Sequence, residues 1–595
     1  MHQRWLIPVI SSLVAGVLAP AAPAQTAPSD QVTVTAHPFP VPFKSLARTV
    51  EVITREEIEN LPVASVTDLL RYAASVEVRS RGPFGVQSDL SIRGSTFDQV
   101  LVLVDGIRLN DAQTGHHNGD IPVALEDVER VEILYGSGSS LYGADAVGGV
   151  INVVTRRGER RSRAGFSAGQ FGLLTGYGSV PLSHSRALGE LTLWGDRSDG
   201  FAPDRDFQTL GIRLQGRLGR VGRFQLAHLD KRFGAEGFYG PSPSREWTRQ
   251  SLLAATSPVA SGEGWTLSTT VSFRTHGDHF LWDVERPGYA ENFHRDSSLD
   301  TGMALDWSPR GKTRVNLGGS AGGDWIDSTN LGVHRYRRSG LYFEVEQRLG
   351  DRFVLYPGLR YDAFSSFDDS WSPSLSGLWW LSGALKLRAS AGRSFRIPTF
   401  TERFYTDPNH QADPSLEPER AVGFEAGADW LPSTRWLAAA TVFSRHQREA
   451  IDWVRADAAQ RWHTANIRSL RTDGLEVSLR RFTSGASWFG FQYTYLNVRP
   501  GELDLQSKYV LEYARHSLTM TTALPLPLGL MAGHHLSYRR KRDGSDYWVA
   551  DLRLSRRISV RTRVYVEVTN YLDSRYEAIP GVAMPPSWLR FGLAF

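Results

Sequence analysis

Hydrophobic and polar residues alternate with a period of two along most of the chain beyond about residue 160. The alternation is clearest in residues 210–218 (LGIRLQGRL), 564–569 (VYVEVT) and 588–595 (WLRFGLAF). Successive side chains of a strand point to opposite faces. Each of these segments is therefore predicted to be a strand with one apolar and one polar face.

Two architectures accommodate such strands. A soluble sandwich or propeller buries the apolar faces inside, whereas an outer-membrane barrel turns them outward to lipid. We favour the barrel, because Arg and Glu recur on the polar face and aromatic residues recur near the strand ends, as an interfacial girdle requires. Strands of about 9–11 residues with their connections give roughly 22 antiparallel strands over residues 158–595. The lumen of so wide a barrel leaks unless it is plugged.

Residues 44–157 show a different pattern and are predicted to be that plug. Capping-box patterns at Thr54–Glu57 and Ser65–Asp68 predict the starts of two helices. The apolar run 101–104 leads into Asp105-Gly106, which predicts a strand that turns back as a hairpin. An α+β unit of roughly 110 residues has about the right size to fill the predicted barrel.

Glycines crowd the end of this unit, in residues 130–155 (RVEILYGSGSSLYGADAVGGVINVVT). Glycine-rich loops often bind phosphates, but this one lacks the lysine of a P-loop and runs into a strand rather than a helix. We therefore predict that these glycines let the plug turn tightly and pack against the barrel wall. Gly148-Gly149 is predicted to bring the last plug strand close to its neighbour.

The N-terminus carries the features of an export signal. Arg4 precedes an apolar run, 5–18, and the small-residue pattern Ala22-Pro23-Ala24 follows. These features predict a signal peptide at residues 1–24. The alternative is a membrane anchor, for which the run is shorter than the about 20 residues that a spanning helix needs.

The next segment, residues 25–43, is predicted to be an extended periplasmic segment. Its composition is rich in Pro, Ala, Ser and Thr. Residues 30–36 (DQVTVTA) alternate like a strand but have no partner strand nearby. Such a segment can add itself to the sheet edge of another protein. A plain linker is the alternative interpretation.

Composition excludes several classes of function. The chain contains no cysteine, which rules out disulfides and thiolate metal sites. A formal charge of +4 gives no field that favours nucleic acid, so we expect no nucleic-acid partner. We find no catalytic constellation in the sequence, so we predict no catalytic residues, no enzyme activity and no required cofactor.

Several fragments resemble motifs of the TonB-dependent outer-membrane receptors, in the order in which that family carries them. They are SIRG (91–94), LVDG (103–106), residues 142–153, FRIPT (395–399) with Glu402 and 414–419, NYLD (570–573) with Tyr576, and the terminal Phe595. The resemblance covers nearly all of the mature chain. It implies that the unpaired N-terminal strand is the TonB box, formed by Asp30, Gln31, Val32, Thr33, Val34, Thr35 and Ala36.

The resemblance also implies a mechanism and a location. A scarce nutrient binds outside the cell, and the inner-membrane TonB motor complex pulls on the box by means of the proton-motive force. The plug then rearranges to open a path. The protein is expected to be a multi-pass barrel of the bacterial outer membrane, surrounded by outer-membrane lipid. It is expected to be inserted by the barrel-assembly machinery and to act as a monomer.

The substrate is less well defined by the sequence. Overall size and the compact run 149–155 most resemble the branch that transports cobalamin. A ferric-siderophore receptor of the same architecture is the main alternative, followed by a passive porin and an outer-membrane enzyme. The predicted substrate contacts lie on two plug loops and one barrel loop: Arg81, Phe84, Gln87, Gln113, His116, His117, Asn118, Phe238 and Tyr239.

Two groups of residues raise the question of metal binding. Asp199, Asp204 and Asp206 lie in one predicted extracellular loop, and carboxylates of this kind suit calcium. In the cobalamin branch an early loop of this kind binds calcium, but nearby arginines make a solvated acidic loop the alternative. The adjacent His116 and His117 are predicted to point apart and to contact substrate or loops rather than to chelate a metal together.

Overall fold

The computed structural model describes Thr33–Val34 and residues 41–595, apart from positions 74, 158–160, 185–186, 220–221, 484–486 and 502–504. The predicted signal peptide lies outside the described residues, and so does most of the predicted TonB box. The described part of the box forms strand β1 (Thr33–Val34), which pairs antiparallel with β2 (Val41–Pro42). The roles predicted for these segments stay predictions.

A five-stranded mixed sheet organises the plug. The plug strands are β3 (Val50–Thr54), β4 (Val76–Ser80), β5 (Ser88–Ile92), β6 (Val100–Val104), β7 (Ile107–Arg108), β8 (Val128–Tyr135) and β9 (Gly149–Thr155). The sheet has the order β3-β8-β9-β6-β7, and β4 pairs with β5 as a separate hairpin. The predicted hairpin is confirmed, because β6 pairs antiparallel with β7. Asp105 and Gly106 have φ angles of 51° and 83°, as this tight turn requires.

Short helices flank the plug sheet. The α-helices are α1 (Arg55–Asn60), α2 (Val66–Leu70), α3 (Ser139–Tyr142) and, in a barrel loop, α4 (Phe400–Phe404). Single 3₁₀ turns lie at Phe43–Ser45, Phe97–Gln99, Gly115–His117, Leu125–Asp127 and Pro527–Gly529. Among the described residues, no helix is long and apolar enough to cross a membrane.

The caps of the first two helices follow the sequence prediction. The backbone N–H of Thr54 donates to Glu57 Oε2 at 2.7 Å, and the Thr54 hydroxyl accepts from the Glu57 N–H at 3.4 Å. Ser65 Oγ accepts from the Asp68 N–H at 3.1 Å. These bonds satisfy N–H groups that the helix itself leaves unpaired. Helix α3 was not expected from the sequence, since the residues around it have the composition of a glycine-rich loop.

The glycines of that loop act as predicted. A Cβ on Gly149 would collide with the carbonyl oxygen of Leu134, on the neighbouring strand β8. A Cβ on Gly143 would lie 3.1 Å from Arg360 Nε, which belongs to the barrel wall. Gly136 and Gly143 also have φ angles of 80° and 78°, which favour glycine. These positions therefore need glycine for close backbone approach and for turning.

Twenty-two antiparallel strands close into a barrel, as predicted. They are β10 (Arg163–Gly169), β11 (Leu174–His184), β12 (Ala187–Ser198), β13 (Phe207–Leu218), β14 (Gly222–Gly234), β15 (Arg245–Gly262), β16 (Trp265–Leu281), β17 (Glu291–Arg310), β18 (Thr313–Ser328), β19 (Gly332–Leu349), β20 (Phe353–Phe364), β21 (Ser370–Trp380), β22 (Leu385–Arg396), β25 (Glu419–Ser433), β26 (Trp436–Arg455), β27 (Trp462–Phe482), β28 (Trp488–Pro500), β30 (Ala514–Leu526), β31 (Leu530–Lys541), β32 (Asp546–Arg557), β33 (Arg563–Thr569) and β36 (Trp588–Ala594). Short loop strands are β23 (Thr406–Asp407), β24 (His410–Gln411), β29 (Gln506–Ser507), β34 (Glu577–Ile579) and β35 (Val582–Ala583). Pairing of β10 with β36 closes the ring.

The two rims of the barrel differ in the length of their connections. One rim has tight turns, such as 263–264 and 311–312, whereas the other carries longer loops, such as 199–206, 397–418 and 570–587. In outer-membrane barrels the short turns face the periplasm and the long loops face outward. We use this rule to name the rims periplasmic and extracellular.

The wall turns its apolar face outward. On β13, Leu210 is 60 % exposed while Arg213, on the opposite face, is 1 % exposed. On β36, Phe591 faces outward, while Arg590 is buried and donates to the Val63 carbonyl of the plug at 2.7 Å. This arrangement excludes a sandwich, because a sandwich would bury the leucines and expose the arginines.

Candidate functional site

Two plug loops and one barrel loop meet beneath the extracellular rim. The Gln87 amide Nε2 lies 2.7 Å from the Tyr239 hydroxyl, and the guanidinium of Arg81 lies 5.3 Å from the Tyr239 ring centroid. The His116 and Tyr239 rings lie 6.3 Å apart. The structure thus brings together four of the predicted substrate contacts, which are Arg81, Gln87, His116 and Tyr239.

These four residues differ in how much of each is exposed to solvent. Arg81 and Gln87 are each 3 % exposed, whereas Tyr239 is 40 % exposed. Arg81 is already paired with Asp89 at 2.9 Å, and Asp89 is 2.7 Å from His116 Nδ1. Burial disfavours the charged imidazole and lowers the pKa of His116 to about 4. Burial opposes the charge on Asp89 as well, but Arg81 and His116 outweigh it and hold the pKa of that carboxyl below its usual range.

Further residues of loops and strand ends extend this cluster into a belt. The extracellular belt consists of Trp282, Phe280, Tyr239, His116, Tyr509, Lys508 and Trp462. Neighbouring members lie close together: Tyr239 and Phe280 at 5.3 Å, His116 and Tyr509 at 5.8 Å, and Lys508 Nζ at 5.3 Å and 5.9 Å from the Tyr509 and Trp462 rings. Sequence reasoning missed Tyr509 and Lys508, which lie in an irregular loop without a periodic pattern, and Trp462, which is the first residue of strand β27.

Two predicted contacts serve packing rather than the belt. The Phe84 ring lies 5.5 Å from both Phe207 and Trp588. Phe238 is 5 % exposed and belongs to the same aromatic cluster beside the wall. These rings fix the 81–87 loop to the barrel.

The remaining predicted contacts lie deeper, against the wall. Gln113 Nε2 donates to Asp278 Oδ2 at 3.0 Å, and His117 Nε2 lies 3.5 Å from the same oxygen. Asn118 Oδ1 accepts from the Asp111 N–H at 2.9 Å, which is a contact within the plug. Burial favours a neutral imidazole, but the hydrogen bond and charge of Asp278 outweigh it and raise the pKa of His117 to about 10. His116 and His117 therefore do point into different surroundings.

The predicted calcium ligands lie on the loop between β12 and β13, at the extracellular rim. Asp199 is exposed and lies 3.5 Å from Arg197, and Asp206 pairs with Arg245 at 2.6 Å. Asp204 is exposed and has a φ of 48°. Among the described residues, the carboxylate oxygens of these three aspartates do not come within 4.8 Å of one another as a set.

A buried ion-pair triad fastens the plug to the wall. Arg93, in the SIRG motif, lies 2.6 Å and 2.8 Å from Glu476 and Glu425, its closest partners on strands β27 and β25. The Arg93 guanidinium also covers the Phe443 ring at 4.2 Å. The SIRG motif therefore contacts wall residues that lie far from it in sequence.

The FRIPT fragment (395–399), with Glu402 and residues 414–419, forms a second network of this kind. Arg396 pairs with Glu402 at 2.7 Å and with Glu419 at 2.5 Å. Glu419 also accepts from Gln99 of the plug at 2.5 Å. The FRIPT fragment and the glutamate at the end of residues 414–419 thus act together, at the junction of loop, wall and plug.

Comparisons with known proteins agree with this architecture. The family model "TonB dependent receptor-like, beta-barrel" matches residues 142–571, and the model "TonB-dependent Receptor Plug Domain" matches residues 42–150. The chain therefore belongs to the TonB-dependent receptor family and is an outer-membrane transporter. The prediction that it has no enzyme activity stays a prediction.

The proteins that the chain resembles are themselves named for different nutrients. The chain is 26 % identical over 514 residues to the vitamin B12 transporter BtuB of Photobacterium profundum, with 80 % of each chain covered. It is 19 % identical to the siderophore receptor PirA from Pseudomonas aeruginosa, with a TM-score of 0.71, covering 92 % of this chain and 98 % of that one. The FrpB iron transporter from Neisseria meningitidis gives a TM-score of 0.74 at 15 % identity, with 93 % and 99 % covered. The two solved structures show the fold alone.

Proposed function

We propose that the chain imports cobalamin or a related corrinoid, which docks on the extracellular belt. The observation that carries the proposal is the belt itself, in which plug residue His116 contacts the Tyr239 and Tyr509 rings of two barrel loops. A corrinoid is large and nearly flat, and its rim carries amide groups. Aromatic faces suit its plane, and the Tyr239 hydroxyl and Lys508 ammonium offer donors to its amides. The similarity to a vitamin B12 transporter supports the same substrate.

Transport follows from the contact between belt and plug. Because His116 sits on the plug, substrate docking changes contacts of the domain that must move. TonB then grips residues 30–36 at the periplasmic face and draws on the plug, using the proton-motive force of the inner membrane. As the path opens, water replaces the polar contacts between plug and wall.

The first experiment measures binding of cyanocobalamin to the purified full-length protein in detergent. The Tyr239→Ala/Tyr509→Ala variant is expected to bind about tenfold more weakly, because two stacking faces are lost. Tyr538→Ala is the matched control, since that ring packs on Trp548 at 4.7 Å, away from the belt. Absence of cyanocobalamin binding to the unaltered protein would contradict the proposal.

The second experiment separates transport from binding. Deletion of residues 30–36 is expected to abolish cobalamin uptake by cells and to leave cyanocobalamin binding unchanged. Uptake at the level of the unaltered protein would show that these residues are not the TonB box.

A ferric siderophore is the second candidate substrate. Cations beside the belt favour it: Arg455 lies 4.2 Å from the Trp462 ring, and Lys508 adjoins the same ring. Ferric siderophores with anionic ligands would gain from these charges. Titration with a ferric catecholate under the same conditions decides between the two, because only one ligand is expected to bind the belt and to lose affinity in Tyr239→Ala/Tyr509→Ala.

Calcium binding to the loop 199–206 is also proposed, as an aid to docking. Cyanocobalamin affinity is then expected to rise when calcium is added to chelator-treated protein. Asp199→Asn/Asp204→Asn should remove this rise while sparing the Asp206–Arg245 pair. An affinity that does not respond to calcium would leave the loop as a solvated acidic loop.

A further inference from the structure

We propose that His117, Asp120 and His276 form a binding site for a divalent transition-metal ion of the zinc type, shared between the plug and the barrel wall. The site is distinct from the extracellular belt and from the loop 199–206. It does not depend on which nutrient the protein imports.

The geometry brings three suitable ligands to one point. One atom from each of His117, Asp120 and His276 lies within 4.8 Å of the other two. The two imidazole rings lie 4.6 Å apart. A tetrahedral zinc ion with bonds of about 2.0–2.1 Å holds its ligand atoms about 3.4 Å apart, so a modest contraction completes the site. His117 ends the 3₁₀ turn Gly115–His117 of the plug, and His276 lies on wall strand β16.

Carboxylates surround this set on both sides. Asp111 and Asp296 form a further group with His276, and Glu246 and Asp278 form one with His117. These groups supply candidates for a fourth ligand or for orienting the histidines, as carboxylates around zinc sites commonly do.

Several buried polar atoms in this cluster lack a hydrogen-bond partner. The His117 and His276 side chains are 3 % and 0 % exposed. The Nδ1 atom of His117 is buried and makes no hydrogen bond, and Asp278 and Asp296 each have such an Oδ1 atom. His276 Nδ1 lies 3.1 Å from Asp111 Oδ2. Buried polar atoms are normally paired. A metal ion bound to His117 Nδ1 would give this nitrogen the partner that it lacks.

The charge of the cluster also favours a bound cation. It contains five carboxylates, which are Asp111, Asp120, Glu246, Asp278 and Asp296. Two fixed cations face them: Lys231 lies 2.7 Å from Asp120, and Arg274 lies 3.0 Å from Asp111. A divalent ion bound here would face these carboxylates as an additional positive charge.

The choice of metal follows from the donor set. Two imidazoles with a carboxylate match the ligands that zinc prefers, whereas calcium and magnesium prefer oxygen ligands alone. Lys231 occupies only Oδ1 of Asp120, and Oδ2 faces His276 Nε2 at 3.2 Å. Because the ligands come from both domains, the ion is expected to tie the plug to strand β16.

The test uses the full-length chain, purified in detergent without a histidine tag and stripped with a chelator. After equilibration with zinc, mass spectrometry of the metal content is expected to give about one tightly held ion per chain. Cobalt in place of zinc is expected to show the visible absorption of a low-coordinate site with histidine ligands.

His117→Gln/His276→Gln is expected to weaken zinc binding at least about tenfold. His279→Gln is the matched control, because His279 lies on the same strand but pairs with Glu291 at 2.7 Å. Circular dichroism establishes whether each variant folds. If the double variant does not fold, Asp120→Asn decides, and it is expected to weaken zinc binding as well.

Two results would overturn the proposal. One is unaltered protein that retains no zinc after dialysis. The other is equal zinc affinity in the unaltered protein and in a folded site variant, which would place the ion on the surface.

Discussion

The interior of the plug and its contact with the barrel wall are built from different chemistry. The interior is apolar: Leu69, Val102 and Ile151 are each 0 % exposed and belong to one cluster. Most wall contacts that we describe are polar, such as Arg93 with Glu476 and Asp105 with Arg213 at 3.2 Å. The plug thus has an apolar interior and a contact with the wall that is largely polar, although the apolar cluster also reaches Leu252 and Trp488 of the wall.

Because of this difference, unfolding the plug and detaching it from the wall have different free-energy costs. Exposing apolar surface costs about 25 cal/mol per Å², so the plug interior resists opening. An ion pair loses less when water replaces its partners, because hydration of both ions offsets the lost attraction. A plug of this design can exchange its wall contacts and remain folded, as transport through a plugged barrel requires.

The largest expected effect comes from breaking the triad at the wall. Arg93→Ala leaves Glu476 and Glu425 buried without this arginine, and Glu425 keeps the Thr49 N–H at 3.1 Å and Arg388 at 4.0 Å. A buried charge without its partner costs about 3–5 kcal/mol. We expect a lower thermal unfolding temperature of the purified protein and faster hydrogen exchange in the plug.

The matched control for this change is Arg93→Met/Glu425→Gln/Glu476→Gln, which removes all three charges. It is expected to recover part of the lost stability, because no unpaired charge remains. If Arg93→Ala is as stable as the unaltered protein, the wall contact is not held by this triad.

A cavity in the plug interior is expected to lower stability by a similar or smaller amount, but inside the plug rather than at the wall. Leu69→Ala is expected to destabilise the plug by about 2–5 kcal/mol, because the lost side chain leaves a cavity. Hydrogen exchange should rise throughout β6 and β9 and stay unchanged in wall strands. Leu210→Ala on the outer surface of the barrel is the control, and equal effects of the two would erase the distinction between interior and wall.

Loss of a helix cap is expected to act locally. Ser65→Ala removes the bond to the Asp68 N–H and is expected to cost about 0.5–2 kcal/mol. Hydrogen exchange should increase in α2 alone. Ser65→Asn, which keeps an acceptor, should restore protection, and a failure to do so would point to a role other than capping.

The smallest effect is expected on the outside of the barrel. Arg249 pairs with Asp230 at 2.9 Å, and the Arg249 side chain is 62 % exposed. Exposed ion pairs add little to stability. Arg249→Ala is expected to leave the unfolding temperature and nutrient uptake unchanged, and a loss comparable to that of Arg93→Ala would contradict the comparison.

The sequence predicted local structure well, because local structure follows from neighbouring residues. Alternation identified the strands and, with the recurring charged face, their outward apolar side. The capping residues Thr54 and Ser65 marked two helix starts, and Asp105-Gly106 marked a hairpin. Helix α3 escaped because its residues have no apolar periodicity and lie between glycines.

The candidate site was predicted only in part. Arg81, Gln87, His116 and Tyr239 do come together, but Phe84 and Phe238 pack against the wall instead of facing the belt. Tyr509, in a loop, and Trp462, at the start of β27, were not found, because nothing in the local sequence shows which other loop each will meet.

The sequence by itself determined the class of protein: the strand period, the plug motifs and their order suffice for a plugged outer-membrane barrel. Only the tertiary structure decided which plug residue contacts which wall residue. Arg93 meets Glu425 and Glu476 across 332 and 383 positions of sequence, and His117 meets His276 only when the plug lies inside the barrel. Regular secondary structure produces a periodic pattern in the sequence. Contacts between plug and wall produce no such pattern, because they depend on how the closed barrel surrounds the plug.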